Sequence, residues 1–209
     1  MIYETAYVVR ADASEEAING IKTLVADTLK EYKAETLVSD AWGVKTFAQP
    51  TEDGVRKGNY FYVMYKDDGK VNAELERKFR INEDLLRFIV IRLGLDAEQD
   101  AIVKGYKNPN HVAAVSAAKS DMGDDGEGED GDKEKRMHSK RRSCWFSAKK
   151  TSPDWKDTKS YSWLVNEFGK ISPARVTGLT PKFQRRACDA IKRGRTMGLI
   201  SRASADVAR

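Results

Sequence analysis

Residues 121–132 read Asp-Met-Gly-Asp-Asp-Gly-Glu-Gly-Glu-Asp-Gly-Asp, with seven acids, no base and four glycines. Such a stretch has no apolar face to bury and repels itself, so it reads as an extended, disordered tether rather than part of a core. It divides the chain. Residues 1–120 carry 17 Lys/Arg against 19 Asp/Glu, whereas residues 133–209 carry 20 Lys/Arg against six acids. The overall net charge of +5 therefore hides a near-neutral first part and a strongly basic second part. That asymmetry suggests a polyanionic partner for the second part. Hydrophobic content of 40% is enough for folded cores in a chain of 209 residues, which allows one or two small domains.

The first part alternates between two periods. Residues 2–10 are rich in Tyr, Val and Thr and predict a strand. Ser14 is placed to cap a helix, with Glu15 and Glu16 in its first turn where the dipole favours acids. Ile18, Ile21, Leu24, Val25, Leu29 and Tyr32 form its expected buried stripe, and Lys30 and Lys33 sit at its C-terminal end. Residues 36–48 predict a second strand bending at Gly43, and residues 50–58 a turn. Residues 59–66 predict a third, aromatic strand paired with the second as a hairpin. Asp67-Asp68-Gly69 ends it. Val71, Leu75 and Phe79 mark a second helix, and residues 85–93 a fourth strand. The order βαββαβ predicts a ferredoxin-like split βαβ fold, with both helices on one face of the sheet and the other face open. The predicted class is α+β. A ferredoxin-like domain over 1–94 is followed by a partly disordered, acidic linker over 95–139, with a short helix in its early part. A small, mostly helical basic module occupies 140–209.

That fold hosts many functions, so function must come from particular residues. An RNA-recognition motif has the same strand order and stacks bases on exposed aromatics, but its characteristic aromatic run is only approximated by Lys57-Gly58-Asn59-Tyr60-Phe61-Tyr62-Val63. Trp42, Phe61, Phe79 and Phe88 read as core packing. Acylphosphatase-type chemistry needs a glycine-rich phosphate loop after the first strand, and Arg10–Ser14 contains no glycine.

In the basic part, residues 170–195 hold eight Lys/Arg against one acid, Asp189. Thr180 followed by Pro181 reads as N-cap and first helical residue. Phe183, Ala187, Ala190 and Ile191 recur as one apolar face. Lys182, Arg185, Arg186, Lys192 and Arg193 cover much of the remainder, the pattern of a helix that faces a polyanion. Upstream, Lys140-Arg141-Arg142 and Lys149-Lys150 bracket Cys144-Trp145-Phe146. Cations there suit phosphates, and the rings either stack on bases or anchor the arm to protein. Asp157 is expected to cap a helix carrying Tyr161, Leu164, Val165 and Phe168, stopped by Gly169.

Two family resemblances sit on these residues. Asp40-Ala-Trp42-Gly43, Ala48-x-Pro50, Lys57-Gly58-x-Tyr60, Phe79-Arg80-x-Asn82 and Arg87-x-x-Val90 resemble bacterial small-subunit ribosomal protein six, over about residues 2–93. Gly169-Lys170-Ile171, Arg175-Val176-Thr177-Gly178, Gln184-Arg185 and Ala190-Ile191-Lys192 resemble small-subunit ribosomal protein eighteen, over about 140–200. The chain departs from the latter at Ala174, Gly194 and Ile200-Ser201. It thus resembles a natural fusion of two proteins that pair on the ribosome. The resemblance implies a cytoplasmic, structural constituent of the bacterial small ribosomal subunit with no enzymatic activity. Its partners would be the central domain of the small-subunit ribosomal RNA and neighbouring small-subunit ribosomal proteins, with its own two modules docked on each other. Charge and resemblance together nominate Lys140, Arg141, Arg142, Lys149, Lys150, Lys170, Arg175, Thr177, Lys182, Gln184, Arg185, Arg186, Lys192, Arg193 and Arg195 as RNA-binding. Arg80 and Arg87 add contacts from the first module.

Other classes find little support. Cys144 and Cys188 are the only cysteines and His111 and His138 the only histidines, so no four-ligand zinc set is available and no metal or cofactor is expected. No Ser/His/Asp or paired-carboxylate pattern stands out. The N-terminus enters a strand pattern directly, without a secretory signal, and no apolar run is long enough for a membrane span. The competing reading is a DNA-binding regulator using residues 180–195 as a recognition helix. Against it, the connection from Gly169 to Leu179 exceeds a helix-turn-helix turn.

Overall fold

The computed structural model describes residues 1–109 and 144–202. The acidic run, both histidines and the candidate residues Lys140, Arg141 and Arg142 lie outside the described residues.

β1 (Ile2–Arg10), β2 (Glu35–Thr46), β3 (Lys57–Lys66) and β4 (Leu85–Gly94) form one antiparallel sheet in the order β2-β3-β1-β4. α1 (Glu15–Glu31) and α2 (Lys70–Ile81) complete the βαββαβ order. Ser14 Oγ accepts from the Ala17 amide at 3.2 Å and starts α1 as expected. Tyr32 is not in the buried stripe: it is the C-cap of α1 and 38% exposed. The helix has ended there, and Lys33 turns the chain at φ 56°. At α2 the N-cap is Gly69, which has no side chain to offer. Asp67 substitutes for it, its Oδ2 accepting from the Gly69 and Val71 amides, and so satisfies donors a helix start leaves free.

Period-two alternation sorts the strands between two cores. Tyr3, Tyr7, Val9, Phe61, Val63 and Tyr65 pack against Ile21, Val25 and Leu29 of α1 and Val71, Leu75 and Phe79 of α2. Ile2, Ala6, Val8, Trp42, Tyr60, Tyr62 and Met64 belong to the opposite face. That face is not open, which corrects the expectation from sequence. A 3-10 turn (Asp96–Glu98) and α3 (Gln99–Gly105) lead to Tyr106, which stacks on Tyr62 at 4.7 Å. The remainder is covered by residues 144–202: Phe146, Trp155, Tyr161, Leu164, Ala187, Ala190, Ile191 and Met197 share the same core. The physical reason is the aromatic run of β3. Tyr60 to Tyr65 are all buried, and a strand apolar on both faces needs cover on both.

The C-terminal part consists of short pieces and one long helix. These are α4 (Trp145–Ala148), α5 (Thr158–Tyr161), a 3-10 turn (Ser162–Leu164), α6 (Ala174–Thr177) and α7 (Pro181–Thr196). The single helix expected from Asp157 to Phe168 does not form. Val165 instead bridges Ile171, the Asn166 amide donates to Lys170 O at 2.9 Å, and Asn166 Oδ1 accepts from the Phe168 and Lys170 amides. This side-chain-closed turn, with Gly169 at φ 75°, competes with the helix and wins. It leaves Phe168 76% exposed.

Candidate nucleic-acid interface

α7 is held by one face and one end. Ala187, Ala190, Ile191 and Gly194 are buried against the sheet-side core. At Gly194 the backbone lies so close to Tyr161 that a Cβ would collide with the Tyr161 hydroxyl. Thr180 occupies the N-cap position with extended backbone, but its hydroxyl makes no capping bond. It accepts instead from Cys144 Sγ at 3.9 Å. At the other end, carbonyls left over by the helix terminus are taken up by the sheet domain. Tyr60 Oη donates to Met197 O at 2.6 Å, the Ala48 amide to Gly198 O at 2.8 Å, and Arg87 Nη1 to Thr196 O at 3.2 Å. A guanidinium at a helix C-terminus is also favoured by the dipole. Burial pushes the Tyr60 hydroxyl well above its ordinary value and keeps it a donor.

With its apolar face covered, α7 displays Lys182, Arg185, Arg186 and Lys192 exposed on its other side. Arg186 also reaches Ser152 Oγ at 3.3 Å. Lys170 and Arg175, in the segment leading to α7, are exposed, as are Lys149 and Lys150 after α4. Arg193 is half-buried and lines a cleft with Glu4, Asp154 and Asp189. The other nominated residues have partners inside the chain. Gln184 Nε2 donates to Ser172 O at 3.0 Å, and Thr177 Oγ1 donates to Gln184 Oε1 at 3.3 Å, which ties α6 to α7. Arg195 donates to Gly169 O. Arg87 lies over the Phe47 ring at 5.2 Å as well as bonding Thr196. Arg80 pairs with Glu76 at 3.6 Å on α2. It therefore sits on the helix-bearing side of the sheet, away from α7.

Sequence reasoning missed the polar centre beneath this surface. Glu4 on β1 is 1% exposed. Its Oε1 accepts from Trp155 Nε1 at 2.8 Å, and its Oε2 accepts from Tyr62 Oη and Lys156 Nζ, each at 2.7 Å. The Lys156 ammonium also lies 5.3 Å from the Tyr62 and Trp155 ring centroids. Trp155 packs on Trp42 at 5.8 Å. Burial raises the Tyr62 pKa, the Glu4 charge reinforces the shift, and the hydroxyl stays a donor. One signal was available: Glu4 is the one acid in residues 2–10, on the face shared with Ile2, Ala6 and Val8.

Among the described residues, no cluster of His, Cys, Asp or Glu could hold a metal ion. Cys144 and Cys188 are free thiols. No helix among the described residues is long and apolar enough to cross a membrane.

A ferredoxin-like sheet with two helices on one face, and on the other a helical segment presenting a cationic helix, defines a two-part α+β protein with exposed cations on its second part. Residues 2–92 match the family model for Ribosomal protein S6, and residues 149–200 that for Ribosomal protein S18. Small ribosomal subunit protein bS6 of Geotalea daltonii is 31% identical over 102 residues, covering 49% of this chain and 79% of that protein. The bS6 protein of Pelobacter propionicus is 32% identical over 118 residues, covering 56% of this chain and 90% of that protein. The crystal structure of 30S ribosomal protein S6 from Thermotoga maritima is similar at 22% identity and a TM-score of 0.44, covering 50% of this chain and 97% of that one. The chain belongs to the ribosomal protein S6 family and carries, behind its S6 domain, a segment that matches the ribosomal protein S18 family model. Both are families of structural, non-enzymatic proteins of the small ribosomal subunit, a cytoplasmic particle.

Proposed function

We propose that this small-subunit ribosomal protein binds the central domain of the small-subunit ribosomal RNA through the exposed side of α7 and the segments leading into it. The two parts work as one body. The sheet domain holds the end of α7, and α7 meets the RNA. One observation carries this reading: Lys182, Arg185, Arg186 and Lys192 point away from a helix face that is itself buried on the S6 sheet. Affinity then comes from cations meeting phosphates with release of counterions, and specificity from RNA shape and exposed loop bases. Lys149, Lys150, Lys170 and Arg175 extend the same surface. Thr177, Gln184, Arg195 and Arg87 act as positioning residues, because each is bonded within the chain.

The test is the double variant Arg185→Ala, Arg186→Ala in the full chain. Each phosphate that is no longer neutralised should flatten the slope of log K against log salt by about 0.9 for a duplex site. Affinity for a central-domain fragment should fall while the urea midpoint stays put. Unchanged affinity and slope would remove α7 from the interface. The DNA-binding alternative has one feature in its favour, the short Gly178–Thr180 connection between α6 and α7. However, α6 is a single turn of four residues, too short to brace a recognition helix across a groove. Competition between ribosomal RNA and duplex DNA at fixed salt separates the two readings.

A further inference from the structure

We propose that Trp145 and Trp163, with Lys149 beside them, form a stacking site for an unpaired nucleobase of single-stranded RNA. This deepens the RNA-binding reading and rests on it. The paired aromatics Trp145-Phe146 divide cleanly in the structure. Phe146 is fully buried and stacks on Phe183 at 5.7 Å, so it anchors α4 to α7. Trp145 stays 36% exposed: it stands edge-on to Phe146 at 4.9 Å and meets Trp163, itself 44% exposed, at 6.0 Å between centroids. Their planes are tilted by 58°, so neither ring covers the other face to face. Trp163 Nε1 donates to Ser160 O at 3.0 Å, which satisfies its polar edge. What Trp163 offers outward is therefore aromatic surface.

Charge decides between the possible occupants. Lys149 Nζ lies over the Trp145 ring, 4.7 Å from its centroid, so one Trp145 face already carries an ammonium, which leaves Trp163 to take the base and sets a cation beside it for the phosphate. Residues 144–153 contain Lys149 and Lys150 and no acid. Trp145 also borders a groove whose wall is built from both parts of the chain, including Lys45, Lys107 and Lys159. Of the acids in that wall, Asp154 is already paired with Lys156 at 3.6 Å, and Asp157 is the other. Aromatic surface joined to a cationic groove is the composition that binds single strands without reading sequence. An acidic, aromatic segment of a neighbouring protein is the rival occupant.

The experiment uses the full chain and two short probes of equal phosphate number, an oligoadenylate and an abasic ribose-phosphate strand. The oligoadenylate should bind roughly five- to hundredfold tighter, the equivalent of about one stacked base, and should quench tryptophan emission. Trp163→Leu keeps an apolar contact to Phe146 but has no aromatic face. It should erase the preference for bases and leave the salt slope unchanged, and Trp163→Phe should restore part of it. Equal binding of both probes by the natural chain overturns the proposal, as does a preference that survives both Trp163→Leu and Trp145→Leu. Should those variants lose a neighbouring subunit protein while the probes bind alike, the site is a protein contact and the proposal falls. None of these outcomes touches the α7 reading, which fails separately if the central-domain fragment itself does not bind.

Discussion

A carboxylate on an inner β-strand must be solvated by the protein or it destabilises the fold. Glu4 is solvated by three donors, two of which, Trp155 and Lys156, come from 151 and 152 residues away. This centre joins the two parts by direction as well as burial, because indole, ammonium and phenol each fit one oxygen. Glu4→Gln would leave the Lys156 ammonium, whose side chain is 10% exposed, facing a neutral amide, with the half-exposed Asp154 at 3.6 Å as its remaining charged partner. The expected cost is about 3 kcal/mol, the low end of the penalty for breaking a buried pair from one side, because Asp154 still faces the ammonium. It should appear as a lower urea midpoint with a red shift of tryptophan emission. Glu4→Gln combined with Lys156→Met should recover much of the loss, since no charge is then stranded. Strictly additive losses would show that the pair does not act as a unit. The cationic residues of α7 were legible in the sequence because clustered charge is visible along the chain. Glu4, Trp155 and Lys156 were not, because their partnership depends on contacts across more than a hundred residues.

Among the elements, those whose apolar period repeats over several turns or pairs were legible. β1 to β4, α1, α2 and α7 each carry their own pattern, and the apolar face of α7 was read correctly at Ala187, Ala190 and Ile191. The one-turn helices α4, α5 and α6 had no such signal, since helices this short depend on tertiary packing. The missing helix after Asp157 was lost to Asn166, whose side chain closes a turn of its own. Gly194 shows how packing can override propensity within a well-read helix. Alanine is the better helix former by about 1 kcal/mol, yet a Cβ there meets the Tyr161 hydroxyl. Tyr161 cannot swing away: it is fully buried and donates to Trp155 O at 2.8 Å. Gly194→Ala is therefore expected to destabilise by about 1–3 kcal/mol, as overpacking does. In a Tyr161→Phe background, where the hydroxyl is gone, the same substitution should be nearly neutral or stabilising. Urea unfolding of the four proteins checks this, and a Gly194→Ala chain more stable than the natural one would refute it.

For the whole molecule, the decisive fact is that the C-terminal part shares its core with the sheet. Phe146, Trp155, Tyr161, Leu164, Ala190, Ile191 and Met197 belong to the same cluster as Trp42, Tyr60 and Tyr62 of the sheet. A segment this small, built mostly of single helical turns, is expected to bury too little apolar surface to fold alone. Folding of the basic part and its seating on the sheet should then be one event, governed by the local concentration of the sheet. Covalent connection sets that concentration on the order of a millimolar. At a working concentration of ~100 nM, the connection is worth up to ~10⁴-fold in assembly, or about 5.5 kcal/mol. A protease site engineered between Asp121 and Asp132 allows the connection to be cut while every described residue is kept. After cutting, helical circular dichroism and binding to the central-domain RNA should fall together as the protein is diluted, and excess residues 1–109 added in trans should restore both. If helicity survives dilution while RNA binding falls, the basic part folds alone and the sheet only orients it. If the halves still co-elute at nanomolar concentration with both signals intact, the packing around Glu4 and Trp42 holds the parts together unaided, and fusion adds nothing to assembly.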